Sequence, residues 1–212
     1  VHLARVLSVD QKEGAWRWFR VWNFQLSKHR PIRLSRSARK EPMKAQFTYY
    51  NCGSHLQEVL AKEIGEVESA IDSVKWAKSF SYTVETRSID HQKGYNAAFR
   101  DQFLQMGWTA EPRLLARPSL IGDFSKGLVF VEVQFGNSSA LYRDYYKFQY
   151  GLANGLLSLA VLVVPIEPKE FFPVRQSIGS VSNMAKFSLA DKCLTLLPIN
   201  VPVLLIGLSP KN

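Results

Sequence analysis

Sulfur gives this chain neither staples nor a metal cage: its 212 residues hold two cysteines, Cys52 and Cys193, far apart and without paired spacing. A disulfide framework and a zinc site are therefore not indicated, and a reducing cytoplasm is the simplest home. Long apolar runs are missing as well. A bilayer span needs roughly eighteen apolar residues, and the longest run, Gly155 to Pro165, is broken by Ser158 and stops at a proline. We expect a soluble protein with no membrane partner. Internal repeats and low-complexity tracts are absent too, which sets solenoids and disordered chains aside.

The hydrophobic share of 46% fits a globular domain. The net charge of +9 is unevenly placed. Residues 1–42 hold ten Lys or Arg against three acids, while residues 43–212 hold seventeen against fifteen, so the high pI is no argument for nucleic-acid binding by the core. The first 42 residues, with Trp16, Trp18 and Trp22 among arginines, read as a basic N-terminal extension set apart from a domain at 43–212. That extension could be a DNA-binding arm, a transit-like segment, or codons upstream of a start at Met43, because Val1 is what a GTG start spells when read literally.

Periodicity predicts a mixed β-sheet flanked by helices, an α/β (α+β) arrangement. Leu56, Val59, Leu60, Ile64, Val67 and Ile71 mark one helix from Ser54 to Val74, started by a Ser54–Gln57 capping box. A second helix runs from Tyr95 to Met106, with Phe99, Phe103 and Leu104 inward and Gly107 ending it. Leu120–Phe124 and Leu128–Phe135 read as a hairpin around Ser-Lys-Gly. Then come a helix from Ser139 to Leu152, a doubly covered strand Leu159–Val164, a helix from Ser182 to Leu196, and a strand Val201–Leu208 that Pro202 places near an edge.

The chemistry lies on the hairpin. In Val129-Phe130-Val131-Glu132-Val133-Gln134-Phe135, a period of two puts Glu132 and Gln134 on one face of an otherwise apolar strand. A carboxylate beside such a strand is costly unless compensated, and a divalent cation compensates well. Asp123 can supply a second carboxylate. Mg²⁺ takes hard oxygen ligands, acidifies water and offsets charge on a phosphate, which is the equipment of phosphodiester hydrolysis. A Ser-Lys-Gly turn would leave Asp123 three residues off Glu132 in register, roughly 10 Å along the strand. The alternative is that Glu132 and Gln134 line a solvent face while Asp123 caps a turn, with no metal at all.

Asp123-Phe124, Leu128, then Val131-Glu132-Val133-Gln134-Phe135 with Asn137 resembles the BglII and BstYI family of type II restriction endonucleases. That family is a branch of the PD-(D/E)xK nuclease superfamily that carries Gln where the usual motif has Lys. Gly94-x-Asn96, Arg100-Asp101 and Trp108 resemble the family's helix before the site, and Tyr50-Asn51 with Glu58-Val59-Leu60 its N-terminal start. The likeness runs from about Met43 to Leu208. It implies Asp123 and Glu132 as ligands of Mg²⁺ with the Val133 carbonyl, Gln134 placing the attacking water, and Glu111 as a further polar residue beside the metal. Gln134 is neutral and can only orient, not take a proton.

The resemblance further implies double-stranded DNA as substrate, a homodimer matched to a palindromic site, and a cognate methyltransferase in the same bacterial or archaeal cytoplasm. A GATC-containing palindrome is the natural first guess. Arg175, Gln176 and Ser177 sit where base-reading residues belong, and Asn137 and Ser138 follow the catalytic strand. Arg143 and Lys147, one helical turn apart, could meet phosphates or form a solvated helix face. The competing readings are a repair or structure-specific nuclease of the same superfamily, and a non-catalytic DNA-binding relative.

Overall fold

Apolar runs and amphipathic stretches alternate along the chain, and each becomes the element whose period it carries. In a computed structural model that describes residues 40–175 and 181–210, the elements are β1 (Met43–Tyr50), α1 (Ser54–Val59), α2 (Ala61–Ser73), β2 (Ser81–Val84), β3 (Arg87–Asp90), α3 (His91–Gln105), β4 (Thr109–Ala110), β5 (Arg113–Leu115), β6 (Leu120–Ile121), β7 (Phe124–Lys126), β8 (Val129–Val133), α4 (Ala140–Ala153), β9 (Leu159–Pro165), α5 (Pro168–Phe171), α6 (Phe187–Leu196) and β10 (Val203–Pro210). Six strands form one sheet in the order β1-β10-β9-β8-β7-β4. β9 lies parallel to β8 and β10, and the remaining pairs are antiparallel. This is the mixed sheet flanked by helices that the sequence predicts.

Strand alternation splits the core into two layers. Val129, Val131, Val133, Val161, Val163, Leu204 and Ile206 join one cluster with Ile64, Val67 and Ile71 of α2 and Phe99 and Phe103 of α3. Phe130, Leu162 and Leu205 turn to the other side, where Leu141 and Phe148 of α4 and Ala190 and Leu194 of α6 cover them. Every residue of β8 and β9 is buried, as the unbroken apolar run of β9 requires. Among the described residues no helix is long and apolar enough to cross a membrane.

Several local expectations need correction. The helix from Ser54 is two helices, interrupted at Leu60, where ψ opens to 14° while Leu60 still donates to Leu56 O and accepts from Ile64 N. The apolar stripe passes through the bend, but Val59 is 62% exposed. No capping box forms, because Gly53 is the N-cap and Gln57 reaches back to the Cys52 carbonyl instead. Leu104 points outward at 45% exposure. The helix from Ser182 begins only at Phe187, because the chain before it is tied to the loop after β8: Ser138 N donates to Asn183 O, and Ala185 N to Gly136 O. β10 is interior, flanked by β1 and β9. Pro202 precedes it and only lends a carbonyl to Ala160 N, so its missing N–H costs nothing. The edge belongs to β1, a strand the sequence pattern did not reveal.

Candidate active site

The hairpin turns on two residues, Gly127 and Leu128, with Gly127 at φ 54°, the left-handed conformation that tight hairpins require. Ser125 and Lys126, expected in the turn, are strand residues: the pairs run Lys126↔Val129, Ser125↔Phe130 and Phe124↔Val131. The paired rungs end there; Asp123 stands at the bend just before β7, and counting the register one residue on brings it level with Glu132. The expected three-residue offset therefore disappears. Side chains facing each other across such a ladder lie on one face with Cβ atoms about 4.5–5.5 Å apart.

Asp123 is fixed from two sides. Its carbonyl accepts from Glu111 N at 2.9 Å, and its Oδ2 accepts from Val133 N at 2.7 Å. Gly122 lets the chain approach β8: a Cβ there would lie 2.0 Å from Cζ of Phe130, so no side chain fits without moving that ring. A cleft of about 260 Å³ opens beside Asp123, lined by Asn96, Ala97, Arg100, Glu111, Phe124 and Val133.

Glu132 lies deeper, 3% exposed, and is not part of the cleft lining. Its Oε1 accepts from Lys147 Nζ at 2.8 Å. The same ammonium donates to Asp144 Oδ1 at 3.0 Å, and Asp144 Oδ2 accepts from Gln134 Nε2 at 2.8 Å. Gln134 Oε1 in turn accepts from Gly136 N at 2.9 Å. Gln134 holds its place because its neighbours are anchored: Val133 and Phe135 are buried, and the Phe135 ring packs between Tyr95, Phe171 and Phe172 at centroid distances of 5.5–6.0 Å. The solvent-face alternative for Glu132 is thereby overturned.

Two carboxylates, Glu132 and Asp144, thus hold one buried ammonium, and Asp123 adds a third negative charge close enough to act on Glu132, a surplus of two. Burial, with Asp123 and Asp144 adding to it, pushes the Glu132 carboxyl well above the ordinary glutamate range despite Lys147. Burial also lifts Asp123, against the pull of the Val133 N–H and Lys147. For Lys147 burial works downward, but Glu132 and Asp144 outweigh it and hold the ammonium protonated. Burial leads the rise of both carboxyls and the local excess of negative charge adds to it, while for Lys147 that excess acts against burial.

A divalent cation fits that deficit. Among the described residues Asp123 accepts a hydrogen bond only at Oδ2 and Glu132 only at Oε1, so Asp123 Oδ1 and Glu132 Oε2 take no protein donor. Two carboxylate oxygens and the Val133 carbonyl suit Mg²⁺, which commonly binds through one or two carboxylates and keeps several waters. Among the described residues no three His, Cys, Asp or Glu side chains converge into a ready-made metal cage.

Glu111 is at φ 54°, its side chain exposed and paired with Arg100 Nη1 at 3.1 Å, beside the same cleft as Asp123. Asn137 is exposed and its Oδ1 accepts from Ser139 N, and Ser138 is tied to Asn183, so both stand at the exit of the catalytic strand. Arg143 is exposed on α4. Lys147 is not: at 3% exposure and bonded to two acids, it cannot meet a DNA backbone, and its expected place on a solvated helix face is corrected. Arg175 closes a short 3-10 turn, Pro173–Arg175, while Gln176 and Ser177 lie outside the described residues. The sequence reading missed Asp144. The signal was available, since Asp144 and Lys147 sit among Leu141, Tyr145 and Phe148 on the inward side of α4.

The sequence profile of the family described as "Restriction endonuclease BglII/BglIII" matches residues 45–208. Comparison with curated proteins gives no match. The fold is similar to the crystal structure of restriction endonuclease BglII complexed with a DNA 16-mer, with a TM-score of 0.60 and 19% identity over 77% of this chain and 75% of that one. That likeness speaks for the fold. The profile match spans well over half of this chain, and on it the protein belongs to the BglII/BglIII family of type II restriction endonucleases, site-specific deoxyribonucleases.

Proposed function

We infer that this endonuclease cleaves double-stranded DNA with Mg²⁺, as a homodimer, at a short palindrome for which a GATC-containing site is the first to test. The observation that carries the reading is that Asp123, bonded to Val133 N, stands close enough to Glu132 to raise its carboxyl, each acid keeping one oxygen that no described protein group occupies. Asp123, Glu132 and the Val133 carbonyl would hold the cation. Mg²⁺ bound there supplies Lewis acidity, acidifying water and offsetting charge on the scissile phosphate.

The protein's own contribution is placement. Gln134, clamped by Asp144 and Gly136 N, keeps one amide hydrogen and one carbonyl lone pair for a water and cannot serve as a base. Glu111 and Arg100 line the cleft beside Asp123, where a phosphate or its water shell enters. Arg143 is a phosphate contact, and Asn137, Ser138, Arg175, Gln176 and Ser177 are the groups assigned to DNA. A cognate methyltransferase and a cytoplasmic setting belong to the same reading.

Purified protein incubated with phage DNA and Mg²⁺, followed by sequencing of the fragment ends, tests activity, metal need and site together. Discrete ends at one palindrome, lost with EDTA, are expected. Glu132→Ala should abolish cutting while DNA affinity in Ca²⁺ stays within a few-fold. Unchanged cutting by Glu132→Ala would sink the assignment.

A further inference from the structure

We propose that Asp144 and Lys147, three residues apart on α4, are positioning residues for strand cleavage: through one shared carboxylate they fix Glu132 and the Gln134 amide relative to each other. The inference rests on reading Asp123, Glu132 and Gln134 as the catalytic set. Lys147 Nζ bridges Glu132 Oε1 and Asp144 Oδ1, and the second Asp144 oxygen takes Gln134 Nε2. Asp144 is fully buried and Lys147 nearly so.

Stability alone does not call for this arrangement, because burying ions costs what their attraction returns, and well-packed apolar residues serve a core as well. Its geometric effect is specific. Lys147 occupies Oε1 of Glu132 and leaves Oε2, which decides which oxygen faces a cation. Asp144 and Gly136 N together fix the Gln134 amide, since a flipped amide would set NH₂ against N–H and carbonyl against carboxylate. The strand thus presents Glu-x-Gln and the helix braces both with Asp-x-x-Lys.

Charge provides a readout that a packing role would not move. Lys147→Met deepens the local negative surplus and Asp144→Asn reduces it, although the two residues touch each other. Calorimetric titration of the metal-free full chain with Mg²⁺ should show tighter binding for Lys147→Met and weaker binding for Asp144→Asn, each by roughly tenfold. Single-turnover cleavage at saturating Mg²⁺ should fall about a hundredfold in both, with partial rescue in Lys147→Arg. In a double-mutant cycle, Asp144→Asn should cost much less once Gln134→Ala is present. If Lys147→Met does not fold, Lys147→Arg and the isosteric Asp144→Asn carry the test.

The proposal is overturned if the folded variants cleave within about twofold of the parent, or if both move Mg²⁺ affinity in the same direction. Should Glu132→Ala and Gln134→Ala also keep full activity, the catalytic set itself is wrong. If those two lose activity while the α4 variants do not, only the bracing role fails.

Discussion

Gly122→Ala adds one methyl group, and the structure specifies what it meets. The new carbon would lie 2.0 Å from Cζ, 2.5 Å from Cε2 and 2.9 Å from Cε1 of Phe130, far inside the carbon–carbon contact of about 3.5–4.0 Å. Phe130 is 1% exposed and backed by Phe148, whose ring centroid is 6.2 Å away, so the ring cannot swing clear without pushing its strand. Overpacking of this kind costs about 1–3 kcal/mol, and a clash this deep belongs at the upper end. Phe130 and Glu132 lie on one face of β8, so the displacement reaches the carboxylate. A misplacement of about 1 Å at a reacting centre can cost about 100-fold. Urea unfolding of the metal-free protein and single-turnover cleavage read the two losses separately. The diagnostic variant is Gly122→Ala with Phe130→Leu, which removes the obstructing ring edge and should be more stable than Gly122→Ala alone. If Gly122→Ala unfolds at the parent midpoint, or if the second substitution simply adds its own cost, the close approach of Gly122 to β8 does not set the site.

Other expectations follow from features away from that contact. Burial raises Glu66, but its bonds from Lys126 and Trp108 outweigh this and hold its carboxyl below the ordinary glutamate range. A depressed carboxylate adds stability above its unfolded pKa and loses it as pH falls through the folded value. Glu66→Gln should therefore be less stable by about 1–3 kcal/mol near pH 7, with the gap narrowing at acid pH below the ordinary glutamate pKa of about 4.3; a gap independent of pH in denaturation curves contradicts the linkage. Arg143→Ala should weaken DNA binding evenly across sequences and lower the slope of log K against log salt by about 1. An unchanged slope in fluorescence titrations removes Arg143 from the phosphate contacts.

The strongly periodic parts were legible in the sequence. β9 and the core face of β8 follow from apolar continuity and alternation, and α3 ends at Gly107, whose φ of 78° is the left-handed conformation that favours glycine. The acids on the hairpin were legible for the same reason, since a carboxylate within a buried strand is a local contradiction. What escaped depends on distant partners. β1 alternates weakly and is a strand only because β10 lies beside it. The register could not be read because whether Ser125 and Lys126 turn or pair depends on Lys126 reaching Glu66 and the Met106 carbonyl. Lys147 looks like surface charge until β8 brings Glu132 to it, and the same contact brought Asp144 into the site.

The two-residue hairpin turn also acts as a counting rule. With Gly127 and Leu128 at the tip, partners across the ladder are separated by three, five and seven residues, the next position by count is nine, and the facing side alternates at each rung. Counted one step past the last paired rung, Glu132 and Asp123 stand at the ninth-residue position, on the side of Ser125 and Phe130. Lengthening or shortening the spacer while keeping both acids on that side, with the turn intact, therefore takes steps of four. A single inserted residue would send one acid to the opposite layer, so the spacing of this motif is quantised by the geometry of its ladder.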